Sequence, residues 1–160
     1  MKNENNGVVI RPFGPAIAKV TISPDIVKKL NDYVDKIIQD EAKSKKLDMG
    51  HSLAGNVKQE FRLENDFINK IGWDKFLGNG VANWINGITG KKITQFHLIS
   101  SWIVRQFKNE YNPTHWHGGH VSGVGYIKVP KTLGPTTQKE KKNKFKWTSS
   151  INSWFKNVFI

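Results

Sequence analysis

Three of the five histidines in this chain fall within six positions: His115, His117 and His120. Imidazole suits Fe, Zn, Cu and Ni, and the absence of cysteine excludes thiolate metal sites and disulfides alike. On an extended strand residues i and i+2 point to one face, so His115 and His117 can converge on a single ion. Such a pair is half of a metal site, and the rest must come from elsewhere in the chain. His120 has the opposite parity on a regular strand, but Gly118-Gly119 can bend the chain enough to bring it back. An isolated His-x-His is more often a surface or core feature than a ligand pair. Here the pair follows a strand-like run and the turn Tyr111-Asn112-Pro113, and precedes a second strand-like run, which shifts the balance toward metal.

The elements that must position this cluster can be read from local pattern. Ala16 to Ile22 alternates as a strand does. Ser23-Pro24-Asp25 is a helix start: a capping hydroxyl, a proline at the first position and an acid facing the helix dipole. Ile26, Val27, Leu30, Val34, Ile37 and Ile38 follow at helical spacing and predict a packed face through about residue 42. The polar, Gly-punctuated stretch Lys43 to Leu63 reads as a loop. Asn65 to Gly90 reads as two helical pieces broken around Gly78-Asn79-Gly80, with Phe67, Ile68, Ile71, Phe76, Leu77, Val81, Trp84 and Ile85 on their apolar faces. Ile93 to Phe107 and His120 to Val129 are the strand-like runs on either side of the histidines.

In this setting the segment NEYNPTHWHGGHVSGVGYIKVP (109–130) resembles the front edge of the double-stranded β-helix of Fe(II)- and 2-oxoglutarate-dependent oxygenases. It is most similar to small phage and bacterial proteins of the prolyl-hydroxylase-like branch, which place a His-x-Asp or a variant of it before a strand ending in an aromatic-aliphatic pair, here Tyr126-Ile127. The helix after Ser23 and the segment HSLAGNVKQEF (51–61) also look like the N-terminal part of the phage subgroup. The resemblance implies an α+β fold, N-terminal helices packed on an antiparallel sheet, with the sheet an incomplete jelly-roll. It implies Fe(II) as metal, 2-oxoglutarate as co-substrate, ascorbate as an accessory reductant, and an unidentified oxidisable substrate.

Carried over by position, His115 is the first metal ligand and His117 stands where the carboxylate usually sits. That exchange removes a negative charge from the ion and changes its metal preference. His120 remains a further ligand candidate. Tyr111 resembles a tyrosine that faces the co-substrate, and fits a turn aromatic packed on the sheet equally well. Arg105 can point into the barrel mouth toward the co-substrate, although a rim ion pair is the plainer reading.

The distal His and the Arg or Lys that clamps the co-substrate should lie beyond Pro130, where this chain has neither His nor Arg. Codon freedom permits a one-base shift in the tail to yield Gly at Trp147 and Trp154, and to turn Asn152 to Phe159 into Ile-His-Gly-Ser-Lys-Met-Phe. The sequence therefore predicts a partial oxygenase-like domain over 1–137 and a Lys-rich, disordered or non-native tail over 138–160. The tail would be frameshifted or truncated after about residue 142, and the site inactive for want of its C-terminal half.

The net charge of +12 suggests nucleic acid at first sight, but residues 131–160 hold seven Lys and one Glu, half of the excess. A non-catalytic basic module, binding nucleic acid or a virion partner through that tail and exposed aromatics, is the principal alternative. A cupin-like protein with a three-His site and no 2-oxoglutarate is a third. No apolar run reaches membrane length and Met1 to Gly7 has no hydrophobic signal core, so a cytoplasmic protein, of a host cell if phage-encoded, is expected.

Overall fold

The computed structural model describes residues 16–130, together with the backbone of strands 8–10 and 157–159. Strand β1 (Val8–Ile10) pairs antiparallel with β2 (Ile17–Thr21), Ile10 opposite Ile17. In β2 the alternation expected from the sequence puts Ala18 and Val20 in the core, with Ile22 just beyond.

Helix α1 (Pro24–Gln39) starts where the sequence indicates. The Ser23 hydroxyl accepts a hydrogen bond from the Ile26 N–H at 3.3 Å, Pro24 opens the helix and Asp25 lies in its first turn. Leu30, Tyr33, Val34 and Ile37 form its buried stripe. The helix stops short of residue 42 because Asp40 turns extended and caps a second helix, accepting from the Lys43 N–H at 3.0 Å. That helix, α2 (Glu41–Leu47), occupies part of the stretch expected to be loop. A 3-10 turn at Gly50–Ser52 and strand β3 (Gln59–Arg62) occupy more of it.

Helices α3 (Asn65–Ile71) and α4 (Trp73–Thr89) are the two expected pieces, but the break is at Gly72 rather than at Gly78 to Gly80. Gly72 takes φ of +72°, a left-handed conformation that glycine adopts without penalty, and the chain turns there. Gly78 is instead a point of close approach inside α4, since a Cβ there would lie 3.1 Å from the Phe96 ring.

The strand-like runs yield less strand than expected. Within Ile93 to Phe107 only β4 (Trp102–Arg105) is regular, although Ile93, Phe96 and Leu98 pack against the core. Within His120 to Val129 only β5 (Val124–Gly125) is regular. Strand β6 (Asn157–Phe159) lies between β2 and β5, antiparallel to both. The result is a mixed α+β arrangement with two antiparallel sheets, β1-β2-β6-β5 and β3-β4. Of the tail expected over 138–160 only β6 falls within the described residues, where it forms regular strand; the boundary at 137/138, the lysine run 139–146 and the point of the expected frame change lie outside them.

One core unites these elements: Ile22, Leu30, Val34 and Ile37 meet Phe61, Leu63, Ile68, Trp73 and Val81. Two of its polar edges are paired, whereas Asp74 Oδ1 and Trp84 Nε1 lie buried with no hydrogen-bond partner among the described residues. Trp73 Nε1 donates to Ser101 Oγ at 3.1 Å, and the Tyr33 hydroxyl donates to Glu64 Oε2 at 2.7 Å, its ring stacked on Phe67. Among the described residues no helix is long and apolar enough to cross a membrane.

Candidate functional site

The β3-β4 register fixes what faces what. Glu60 pairs with Val104 and Arg62 with Trp102, while Phe61 pairs with Ile103 and Gln59 with Arg105. Partners directly opposite share a face and successive residues alternate, so the ribbon has two distinct sides. Phe61 carries one side into the helical core. Glu60, Arg62, Trp102 and Val104 belong to the other.

The histidine loop connects to this ribbon. The Asn56 N–H donates to the Tyr111 carbonyl at 2.8 Å in an isolated antiparallel bridge, which brings the loop alongside the approach to β3. From Asn112 to Gly123 the chain adopts neither helix nor strand. The His117 ring meets Trp102 edge-on, centroids 5.3 Å apart, and so rests on the same side as Glu60.

His115 and His117 come together despite the irregular backbone, with Nε2 to Nε2 at 2.9 Å and ring planes tilted by 41°. His115 Nδ1 lies 2.7 Å from the Pro113 carbonyl oxygen. A carbonyl only accepts, so Nδ1 carries the hydrogen, and a neutral His115 presents the lone pair of Nε2 to its neighbour. His117 Nε2 is then the donor between the rings. His115 thus has the arrangement typical of a metal-bound imidazole, the distal nitrogen bearing its lone pair and the other pinned to a backbone carbonyl. With metal–nitrogen bonds of about 2.0–2.1 Å, two ligands at right angles sit about 2.8–3.0 Å apart, and tetrahedral ones about 3.3–3.4 Å. The observed spacing matches the right-angled pair. It also matches an N–H···N hydrogen bond, so an incoming ion must displace the shared hydrogen.

Beneath the loop lies Glu60, which the sequence analysis did not single out. It is only 2% exposed. Burial, reinforced by the Asp48 charge, pushes its carboxyl above the ordinary glutamate range, against the opposing pull of a hydrogen bond from Asn112 and the nearby His115. Asn112 is itself tightly placed, since a Cβ on Gly55 would fall 1.8 Å from its Oδ1. Gly55 is therefore a point where only glycine lets the loop lie down over β3.

The other sequence candidates are distributed differently. His120 follows the bend at Gly119, whose φ is +98°, but among the described residues no three His, Asp or Glu side chains gather as a metal cage. Arg105 Nη1 donates to Gln59 Oε1 at 3.1 Å, on the opposite side of the ribbon from Glu60, and its guanidinium lies over the Phe107 ring. Tyr111 is held through its backbone while its side chain stands exposed. Asp48, the charge that acts most strongly on Glu60 and not a candidate from the sequence, is engaged locally, accepting from the Gly50 N–H.

No protein-family model, curated protein or solved structure matches this chain. The site therefore rests on its own geometry. That geometry comprises two convergent imidazoles, one oriented by a carbonyl and the other by an indole, above a buried carboxylate.

Proposed function

We propose that this protein is a metal-dependent oxygenase of the Fe(II)/2-oxoglutarate class, with His115 and His117 as adjacent ligands of the ion. The observation that carries the reading is the 2.9 Å Nε2–Nε2 separation with His115 Nδ1 committed to Pro113. An imidazole pair so held fits a first-row divalent ion on two neighbouring coordination positions. The two antiparallel sheets are taken as parts of the jelly-roll on which this class is built. Fe(II) at this place supplies the O2 chemistry that couples 2-oxoglutarate decarboxylation to substrate hydroxylation.

The chain's own groups have defined tasks in this scheme. Pro113 fixes the His115 tautomer, and Trp102 limits rotation of the His117 ring. Glu60 places a buried carboxyl, raised above the ordinary glutamate range chiefly by burial, under the loop. Tyr111 borders the loop on the side toward Asn56, and His120 lies beyond the bend as the nearest further imidazole in sequence. Two protein ligands hold an ion weakly, so the remaining positions are open to water or to a chelating co-substrate.

The test is Fe(II) binding and succinate formation from 2-oxoglutarate with ascorbate, for the wild type and for His115→Ala and His117→Ala. Weak binding that both variants lose supports the ligand pair, and turnover lost with it supports an active oxygenase. Binding without turnover would refute an active oxygenase and leave the pair on a domain that lacks the C-terminal half of its site, and binding unchanged in both variants would refute the pair.

A further inference from the structure

Charge and exposed apolar surface are distributed unevenly along this chain. Residues 16–90 carry 11 basic and 10 acidic side chains, whereas residues 91–130 carry five basic residues and a single acid, Glu110. Every large apolar side chain that stands exposed among the described residues lies between positions 99 and 126. The cationic part of the described chain is thus also the part that presents aromatic rings to solvent.

The rings concentrate on the loop that carries the histidines. Trp116 is 87% exposed, Tyr111 58% and Phe107 51%. His115 and His117 turn toward each other, and His117 toward Trp102, while the Trp116 indole between them in sequence faces water. At the other end of the loop Phe107 borders an open cleft of about 490 Å³, whose wall also includes Lys58, Lys108, Asn56, Asn109 and Glu110; the Glu110 carboxylate is engaged by the Phe107 N–H at 2.8 Å, and the two lysines leave the wall net cationic. The Arg105 guanidinium lies 5.5 Å from the centre of the Phe107 ring.

We infer that the Phe107–Trp116 loop and the adjoining cleft form a binding surface for single-stranded nucleic acid. A partner suited to this surface needs negative charge at intervals and flat apolar groups between the charges. A single strand has both, phosphates for Lys58 and Lys108 and base faces for Phe107 and Trp116. A duplex buries its base faces, an acidic peptide lacks regularly spaced planar groups, and an anionic vesicle offers charge without rings to stack. The inference does not depend on a bound metal, and it assigns the contact to this loop rather than to the lysines near the end of the chain.

The test is fluorescence anisotropy of a labelled oligothymidylate of about 20 nucleotides, titrated with full-length protein in EDTA over a range of salt. Trp116→Ala, at an exposed position, should leave the thermal transition unchanged and weaken binding about five- to a hundredfold. Lys108→Gln should flatten the slope of log affinity against log salt by about 0.7, one phosphate contact on a single strand. Neutralising Lys141, Lys142, Lys144 and Lys146 together should cost less than Trp116→Ala. Three results would each overturn the inference: Trp116→Ala binding as the wild type does, the tail variant alone abolishing binding, or anionic vesicles competing as well as the oligonucleotide.

Discussion

Replacing Tyr33 by Phe removes one oxygen and leaves the packing of α1 in place. The ring is buried and stacked on Phe67 with centroids 3.7 Å apart, and Phe can keep that contact. What disappears is the 2.7 Å hydrogen bond to Glu64, which joins α1 to the start of α3. A hydrogen bond to a charged acceptor contributes about 1.5–3 kcal/mol when well shielded. The Glu64 side chain is 36% exposed and keeps Lys43 at 3.2 Å, so solvent screening and the remaining partner reduce the loss to about 1 kcal/mol. For a domain of this size that is a fall in Tm of about 2–4 °C.

The same bond predicts a pH dependence. Tyr33 foremost, then Lys43, hold the Glu64 carboxyl below the ordinary glutamate range. Burial, then the bond to Glu64, raise the Tyr33 hydroxyl above its own. A carboxylate depressed on folding contributes stability that is complete above its unfolded value of about 4.3, and that stability is lost as pH falls through the folded value. The gap between wild type and Tyr33→Phe should therefore be full at neutral pH and close in acid. Urea denaturation of both proteins across this range is the assay. A gap absent at neutral pH, or unchanged in acid, would refute the reasoning.

Two further predictions concern the support under the histidines. Glu60→Gln should stabilise the protein at neutral pH, because a carboxyl raised on folding is penalised when ionised; the gain should shrink as pH falls through its folded value, and denaturation midpoints at neutral and acid pH would show a destabilised variant if the reasoning fails. Gly55→Ala should push the Asn112 amide off Glu60 and loosen the bridge between Asn56 and Tyr111, so that the Asn56 amide exchanges faster with solvent deuterium; exchange as slow as in the wild type would mean that the loop accommodates the methyl group.

What the sequence disclosed and what it concealed divide by range. Ser23-Pro24-Asp25 marked the start of α1 because capping is settled within three residues, and the stripe from Leu30 to Ile37 followed from helical period alone. The stop at Asp40 was equally local, a capping Asp ahead of Glu41, but the apolar pattern running up to Ile38 concealed it. Gly78 misled because its role is to admit Phe96, a contact no local rule contains. Ile93 to Phe107 has strand-like composition, but regular strand forms only at 102–105, where β3 supplies a partner. In the site, spacing suggested that His115 and His117 could meet. Their platform was not legible, because a glutamate in Gln-Glu-Phe-Arg looks solvent-facing until Asn112 and the histidine loop cover it.

Strand β2 has one neighbour, β1, drawn from the residues just before it, and another, β6, drawn from residues 157–159. During synthesis these arrive at very different times. The first hairpin and the helices can assemble early from near neighbours, but the second edge of β2 stays open until more than a hundred further residues have been made. An unpaired edge is a template for any passing strand. The interval before β6 docks is therefore the period of greatest aggregation risk for this chain. Slowing the supply of residues between β5 and β6, as a run of slowly translated codons would do, should lower soluble yield while leaving the final structure unchanged.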